Sequence, residues 1–214
     1  IFYKTTLRLE MLSTQKLVSD QRRIGLTGGI ASGKTTIANY IKSIKNIDLL
    51  DADIYSKELT ISGTKTYENI INKFGTLIID NESPSKEINR RKLKEIIFKY
   101  PQQKIWLENL LHPLIKEKMI NQSRYLQHKK VLILIIPLLF EAKFNDLCTE
   151  IWIVKCSKKI QIKRLIERDN INQEEAERII NSQMNLSTKT KENYIFLNNE
   201  NESQTWKKQI NKLI

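Results

Sequence analysis

Four glycines within nine residues, followed at once by lysine and threonine, form the group of residues most plainly arranged for chemistry. Arg22-Arg23-Ile24-Gly25-Leu26-Thr27 runs into Gly28-Gly29-Ile30-Ala31-Ser32-Gly33-Lys34-Thr35-Thr36, and residues 28–35 fit the phosphate-loop pattern G-x-x-x-x-G-K-[ST]. Glycine accepts positive φ and lets the backbone close on an anion, so that successive N–H groups can cup a phosphate. After the loop, Ile37, Ala38, Ile41 and Ile44 recur at helical spacing. The positive end of that helix then faces the phosphates. Lys34 supplies a mobile cation for the β- and γ-phosphates, and the Thr35 hydroxyl suits Mg²⁺. An apolar strand before the loop and a helix after it are the context the motif requires. The chain is therefore expected to bind a nucleoside triphosphate through residues 28–36.

A second group is Asp51-Ala52-Asp53, at the end of the apolar run Ile47 to Leu50. In open parallel sheets ligands collect at the carboxyl ends of strands. Two carboxylates beside a triphosphate suit two tasks, taking the proton of an attacking hydroxyl and holding the hydration shell of Mg²⁺. If the backbone stays extended there, the two side chains share a face. The competing reading is that one of them caps a helix beginning near Ile54.

The third group lies on a helix from Lys158 onward. Ile162, Leu165 and Ile166 make an apolar stripe, which gathers Gln161, Arg164 and Arg168 on the opposite side. Such a face can close over a triphosphate as an arginine finger does, because the planar guanidinium grips phosphate oxygens in pairs. Its plain alternative is the solvated face of a surface helix.

These groups need elements to hold them. Apolar runs at 24–27, 47–50, 131–136, 151–154 and 194–197 read as five strands. Helical patterns fall at 64–75, 89–127, 158–168, 172–183 and 203–213, with Pro101 starting a helix and Asn172 and Glu175 forming a capping box. The run Val131 to Ile136, rich in Ile and Leu, has the look of a strand buried on both faces. Strands alternating with helices imply α/β architecture with a parallel sheet. The chain has 214 residues, enough for one full domain with a sub-domain. Its longest apolar run has ten residues against the ~20 of a membrane span. Two cysteines and two histidines, Cys148, Cys156, His112 and His128, cannot build a disulfide framework or a four-ligand zinc site. The formal charge of +12 favours polyanions, which means nucleic acid or phosphorylated metabolites. No secretory pattern is evident near the start, so a cytoplasmic location is expected. Residues 1–21 lack periodicity and are expected to be a tail outside the fold.

Together these stretches resemble the dephospho-coenzyme A kinase family. The likeness runs from about Arg23 to Asn199. It is carried by the Thr27-Gly28-Gly29 loop, Asp51-Ala52-Asp53, Ile88-Asn89-Arg90-Arg91, Leu111-His112-Pro113-Leu114-Ile115, Pro137-Leu138-Leu139-Phe140-Glu141, and Arg164 to Asp169 with Gln183. It implies a P-loop NTPase-type three-layer sandwich with a helical substrate domain at about 60–127 and a lid at about 158–190. The implied reaction phosphorylates the ribose 3′-hydroxyl of dephospho-CoA with ATP and Mg²⁺. Asp53 would be the base and Arg164 the arginine on the phosphates, Thr27 would help position the reacting groups, and Lys34 would bind ATP, with Arg168 also on the nucleotide. Asp51, Asn89, Arg90, His112, Pro137, Leu138 and Glu141 would serve the acceptor. Asn89 reads equally as a helix cap, and His112-Pro113 equally as a packed helix junction. Lys189-Thr190 and Asn193-Tyr194 depart from the family's usual pattern. The expected partners are these two small molecules, without nucleic acid or membrane, in a monomer or small homo-oligomer. The rival readings are another P-loop nucleoside or nucleotide kinase and a nucleic-acid-stimulated ATPase; no Asn-Lys-x-Asp stretch supports a GTP switch.

Overall fold

The computed structural model describes residues 20–184, 186, 194–200 and 205–214. Expectations placed on residues 1–19, on lid residues 185 and 187–193, and on the helix start at Ser203 fall outside the described residues. Five parallel strands form one sheet: β1 Arg22–Gly28, β2 Asp48–Asp51, β3 Val131–Ile135, β4 Glu150–Lys155 and β5 Tyr194–Asn198, in the order β2-β3-β1-β4-β5. The helices are α1 Lys34–Lys45, α2 Ala52–Leu59, α3 Lys65–Phe74, α4 Arg90–Lys99, α5 Pro101–Tyr125, α6 Lys158–Asp169, α7 Gln173–Asn181 and α8 Thr205–Leu213. The expected α/β architecture with five parallel strands is the one observed. The long helical stretch 89–127 divides in two at Tyr100, where Pro101 can start a new helix but not continue the old one. Gln21, inside the stretch expected as a tail, is buried and donates from Nε2 to the carbonyls of Leu126 (2.8 Å) and Lys129 (3.0 Å).

Both faces of the sheet are covered. On one, Ile37, Ala38 and Ile41 of α1 and Trp206 and Ile210 of α8 pack against Ile24, Leu26 and Ile133. On the other, Ile115 and Met119 of α5 pack against Leu132, Leu134 and Ile153. Leu132, Ile133 and Leu134 are fully enclosed, as the unbroken apolar run of β3 required. Each such side chain contributes about 1.5–3 kcal/mol. A separate cluster, Ile70, Ile78, Ile88, Leu93 and Leu107, gives α3, α4 and part of α5 a core of their own. No helix among the described residues is long and apolar enough to cross a membrane.

Gly25 marks where packing leaves no room. A Cβ there would lie 2.5 Å from Cys148 Sγ and 2.8 Å from Leu139 Cδ1. Gly25→Ala is expected to destabilise the fold by about 1–3 kcal/mol, the usual cost of overpacking a core. The check is a denaturant midpoint that falls at constant m-value; an unchanged midpoint would mean that these neighbours yield freely.

Candidate active site

One rung of the sheet lines up Asp51, Ile135, Leu26, Trp152 and Ile195 across all five strands. Everything leaving the sheet just beyond that rung meets on one edge. Thr27-Gly28 continues into the glycine loop, Asp51 turns into α2, Ile136-Pro137 leaves β3, and β4 leads to α6. β2 and β1 are two strand spacings apart, roughly 10 Å. Asp53 therefore faces the glycine loop across a gap one strand wide.

The loop has the backbone of an anion nest. Ala31 and Gly33 take positive φ, 56° and 96°. At Gly33 this conformation strains any side chain, and a Cβ would also lie 2.0 Å from Asn199 Nδ2. Gly33 caps α1 with no side-chain hydrogen bond, so the first amides of the helix are left for a ligand. Thr35 and Thr36 are exposed on that first turn. Lys34 Nζ donates to the carbonyls of Gly28 and Gly29, both at 2.9 Å. Burial pulls its pKa down to about 8, with the Asp53 carboxylate opposing that shift and Arg168 reinforcing it. Thr27 is fully buried and donates to Pro137 O at 3.2 Å, which ties the loop's start to the exit of β3.

The two aspartates do different work. Asp51 is the N-cap of α2, its Oδ1 accepting the Asp53 amide at 2.8 Å. Asp53 is thus already helical, and the pair does not share a strand face. The Asp53 carboxyl is open to solvent but walled by protein. Desolvation raises its pKa, the nearby Asp51 carboxylate adds to the rise, and Lys34, Lys57 and Arg90 hold it back.

Asp53 lies at the mouth of a cavity of about 260 Å³ between α2, α4, α5 and the turn after β3. Its walls are mainly apolar, including Leu107, Leu111, Ile136 and Phe144, and its polar members include Lys104, Glu108 and His112. Pro137 and Leu138 line it, whereas Glu141 is exposed and does not. The His112 ring stands edge-on to Phe144 at 6.0 Å, and burial holds its pKa below the ordinary imidazole value. Arg90 lines an adjoining hollow and donates Nη2 to Thr60 Oγ1 at 2.9 Å. Asn89 does not enter the cavity wall; its side chain caps α4 by accepting from the Lys92 amide at 3.0 Å.

From the other side, α6 lies against the loop. Gln161 Nε2 donates to Ile30 O at 2.8 Å, and Gln183 Oε1 accepts from Ile30 N at 2.6 Å. Arg164 Nη1 approaches the carbonyls of Ala31 (3.5 Å) and Ser32 (3.4 Å), and Nη2 donates to Asn199 O at 3.2 Å. The face is therefore docked on the loop and not merely solvated. Arg168 makes two hydrogen bonds with Asp169, at 2.7 and 2.9 Å. Asn199 is the member that residue-type reasoning passed over. Buried just after β5, it donates from Nδ2 to Ser32 O at 2.8 Å. Only the end point of the family likeness pointed to it, because an asparagine after a strand carries no chemical pattern of its own.

The dephospho-CoA kinase family model matches residues 22–205. A dephospho-CoA kinase of Prochlorococcus marinus subsp. pastoris is 52% identical over 199 residues, covering 93% of this chain and 98% of the relative. The chain belongs to the dephospho-CoA kinase family. A Trichormus variabilis dephospho-CoA kinase is 39% identical over 89% of this chain and 95% of its own. Among solved structures, the Campylobacter jejuni dephospho-CoA kinase superposes with a TM-score of 0.63 at 26% identity, over 89% of this chain and 94% of that one. A Thermus thermophilus structure shares the fold with a TM-score of 0.75 at 22% identity, over 91% and 97%. As a family member the chain is a kinase, a phosphotransferase of coenzyme A biosynthesis that uses ATP.

Proposed function

We propose that the chain transfers the γ-phosphoryl group of ATP to the ribose 3′-hydroxyl of dephospho-CoA, giving coenzyme A and ADP. The observation that carries this reading is the placement of Asp53 between a phosphate loop and a walled cavity, within electrostatic reach of Lys34. The loop amides, Lys34, Thr35 and Thr36 hold the polyphosphate. The cavity under α5 takes the acceptor, with Ala52, His112, Pro137 and Leu138 as walls and Arg90 beside its extension. Asp53 accepts the proton of the 3′-hydroxyl as that oxygen bonds to the γ-phosphorus, and the bridging oxygen leaves with ADP. Lys34 and Arg164 neutralise charge on the transferring group. Residues 60–127 serve as the substrate domain and the stretch around 158–190 as the lid. The reaction belongs in the cytoplasm.

The donor set fits Mg²⁺ brought in by the nucleotide. Thr35 offers one hydroxyl and Asp51 and Asp53 stand nearby, while no cluster of three His, Cys, Asp or Glu exists among the described residues. Mg²⁺ keeps several waters and takes most of its remaining ligands from phosphates, so no protein cage is needed. Bound there, it would shield the negative charge of the phosphate oxygens. The test is ADP release from ATP and dephospho-CoA, with product mass confirming one added phosphate. Turnover should vanish with EDTA and return with Mg²⁺. Phosphorylation of nucleoside monophosphates in preference to dephospho-CoA would sink the assignment of acceptor.

A further inference from the structure

The two side chains that grip Ile30 come from either end of the α6–α7 hairpin, and they grip both polar atoms of one residue. We infer that Gln161 and Gln183 are positioning residues that set the phosphate loop's geometry for ATP and make that geometry depend on the seating of the hairpin. The inference rests on the ATP-binding reading of the loop.

A trans peptide points its C=O and the following N–H in opposite directions. Gln161 holds Ile30 O, and this aims the Ala31 amide away from α6, into the nest. Gln183 holds the Ile30 amide, which turns Gly29 O to the opposite side, where Lys34 Nζ takes it at 2.9 Å. Two consecutive peptide planes are thereby fixed just before Ala31, whose φ of 56° is unfavourable for a residue with a side chain. Such a conformation persists only where its surroundings over-determine it. Both grips are neutral amides, so they add no negative charge beside a triphosphate.

Gly29 meets the same amide from the loop's side. Its φ is not in the left-handed region, yet an added Cβ would lie 2.5 Å from Gln161 Nε2. A side chain there would have to push the Gln161 amide aside, while the local backbone conformation would tolerate it.

The chemistry of the two bonds is opposite, and this gives the test. Glutamate at 183 can still accept from the Ile30 amide, and more strongly. Glutamate at 161 faces Ile30 O with a second acceptor and loses the bond. Both variants place one negative charge beside the same residue, so repulsion of ATP is common to them. Gln161→Glu is expected to raise the KM for ATP about 10-fold more than Gln183→Glu does. Gln161→Ala and Gly29→Ala should each raise it about 5- to 10-fold. The KM for dephospho-CoA should stay within twofold, and Tm should not change. Equal KM values for the two glutamate variants would overturn the proposal, as would a fall in Tm with the KM for ATP unmoved. Wild-type turnover in the same assay separates the cases. Its absence would strike the functional reading itself, and its presence with unaffected variants would strike only the glutamine pair.

Discussion

Asp53→Asn is expected to lower kcat on the order of 100- to 10,000-fold, the range for losing a positioned general base, while the KM for ATP stays within about threefold. The amide keeps the size of the side chain but cannot take a proton. The Asp51 cap on the Asp53 backbone amide is untouched, so α2 keeps its start. Burial and Asp51 already lift the Asp53 pKa, moving the carboxyl toward the proton affinity that a base working near neutrality needs. The sign for pH follows. The base acts only when deprotonated, so turnover should fall with acid as pH drops through a pKa above the ordinary carboxylate value, and Asp53→Asn should erase that acid limb. An equal fall in ATP affinity and kcat would instead make Asp53 a binding group. A second consequence comes from its neighbour: Asp53 helps Lys34 keep its proton. The comparison therefore belongs well below pH 8, where the protonation of Lys34 depends least on Asp53.

The parts of this site that were legible in the sequence are those whose function is written in local spacing. Lys34 and Thr35 follow the glycines at fixed distances because a helix must start there. Arg164 falls opposite Ile162, Leu165 and Ile166 because 3.6 residues make a turn. The strands could be read because β3 and the centre of β4, Ile151 to Val154, are apolar throughout and β1 leads into the loop. What could not be read depends on chain segments distant in sequence. Gln21 bonds to residues more than a hundred positions away, and Asn199 to Ser32 across 167. Nothing in the run Leu197-Asn198-Asn199 distinguishes the buried asparagine from the exposed one, since one ends the strand and the other follows it directly. The Asp51-Ala52-Asp53 segment was legible as a site but ambiguous as a conformation. An aspartate that ends a strand and one that caps a helix look alike until the following turn is seen. Asn89 was ambiguous for the same reason, and the structure spends its side chain on the cap of α4.

Lys34→Ala is expected to reduce kcat/KM for ATP about 100- to 1,000-fold, equivalent to losing about 3–4 kcal/mol of charge stabilisation in a shielded site. The loop should survive the change. Lys34 Nζ holds the carbonyls of Gly28 and Gly29, but the variant keeps the glycine at 33 and the hydrogen bonds that Gln161, Gln183 and Asn199 make with Ile30 and Ser32. Unchanged Tm with lost activity is therefore the expected pairing, and a collapsed Tm would make Lys34 a strut of the loop. The pH profile distinguishes its charge from its bulk. Desolvation lowers its pKa to about 8 without nucleotide, so the cation is lost as pH rises through that value. A bound triphosphate places negative charge beside it and raises the pKa again. The alkaline limb of kcat/KM, which reports the free enzyme, should lie near pH 8, and the limb of kcat should lie higher. Asp53→Asn removes the carboxylate that helps hold the proton on Lys34, so in whatever activity that variant retains, the kcat/KM limb should move to lower pH. Lys34→Arg should abolish the limb altogether, because guanidinium does not titrate in this range. Coincident limbs for kcat and kcat/KM would mean that the triphosphate never reaches the ammonium group, and the phosphate loop would lose its assigned role.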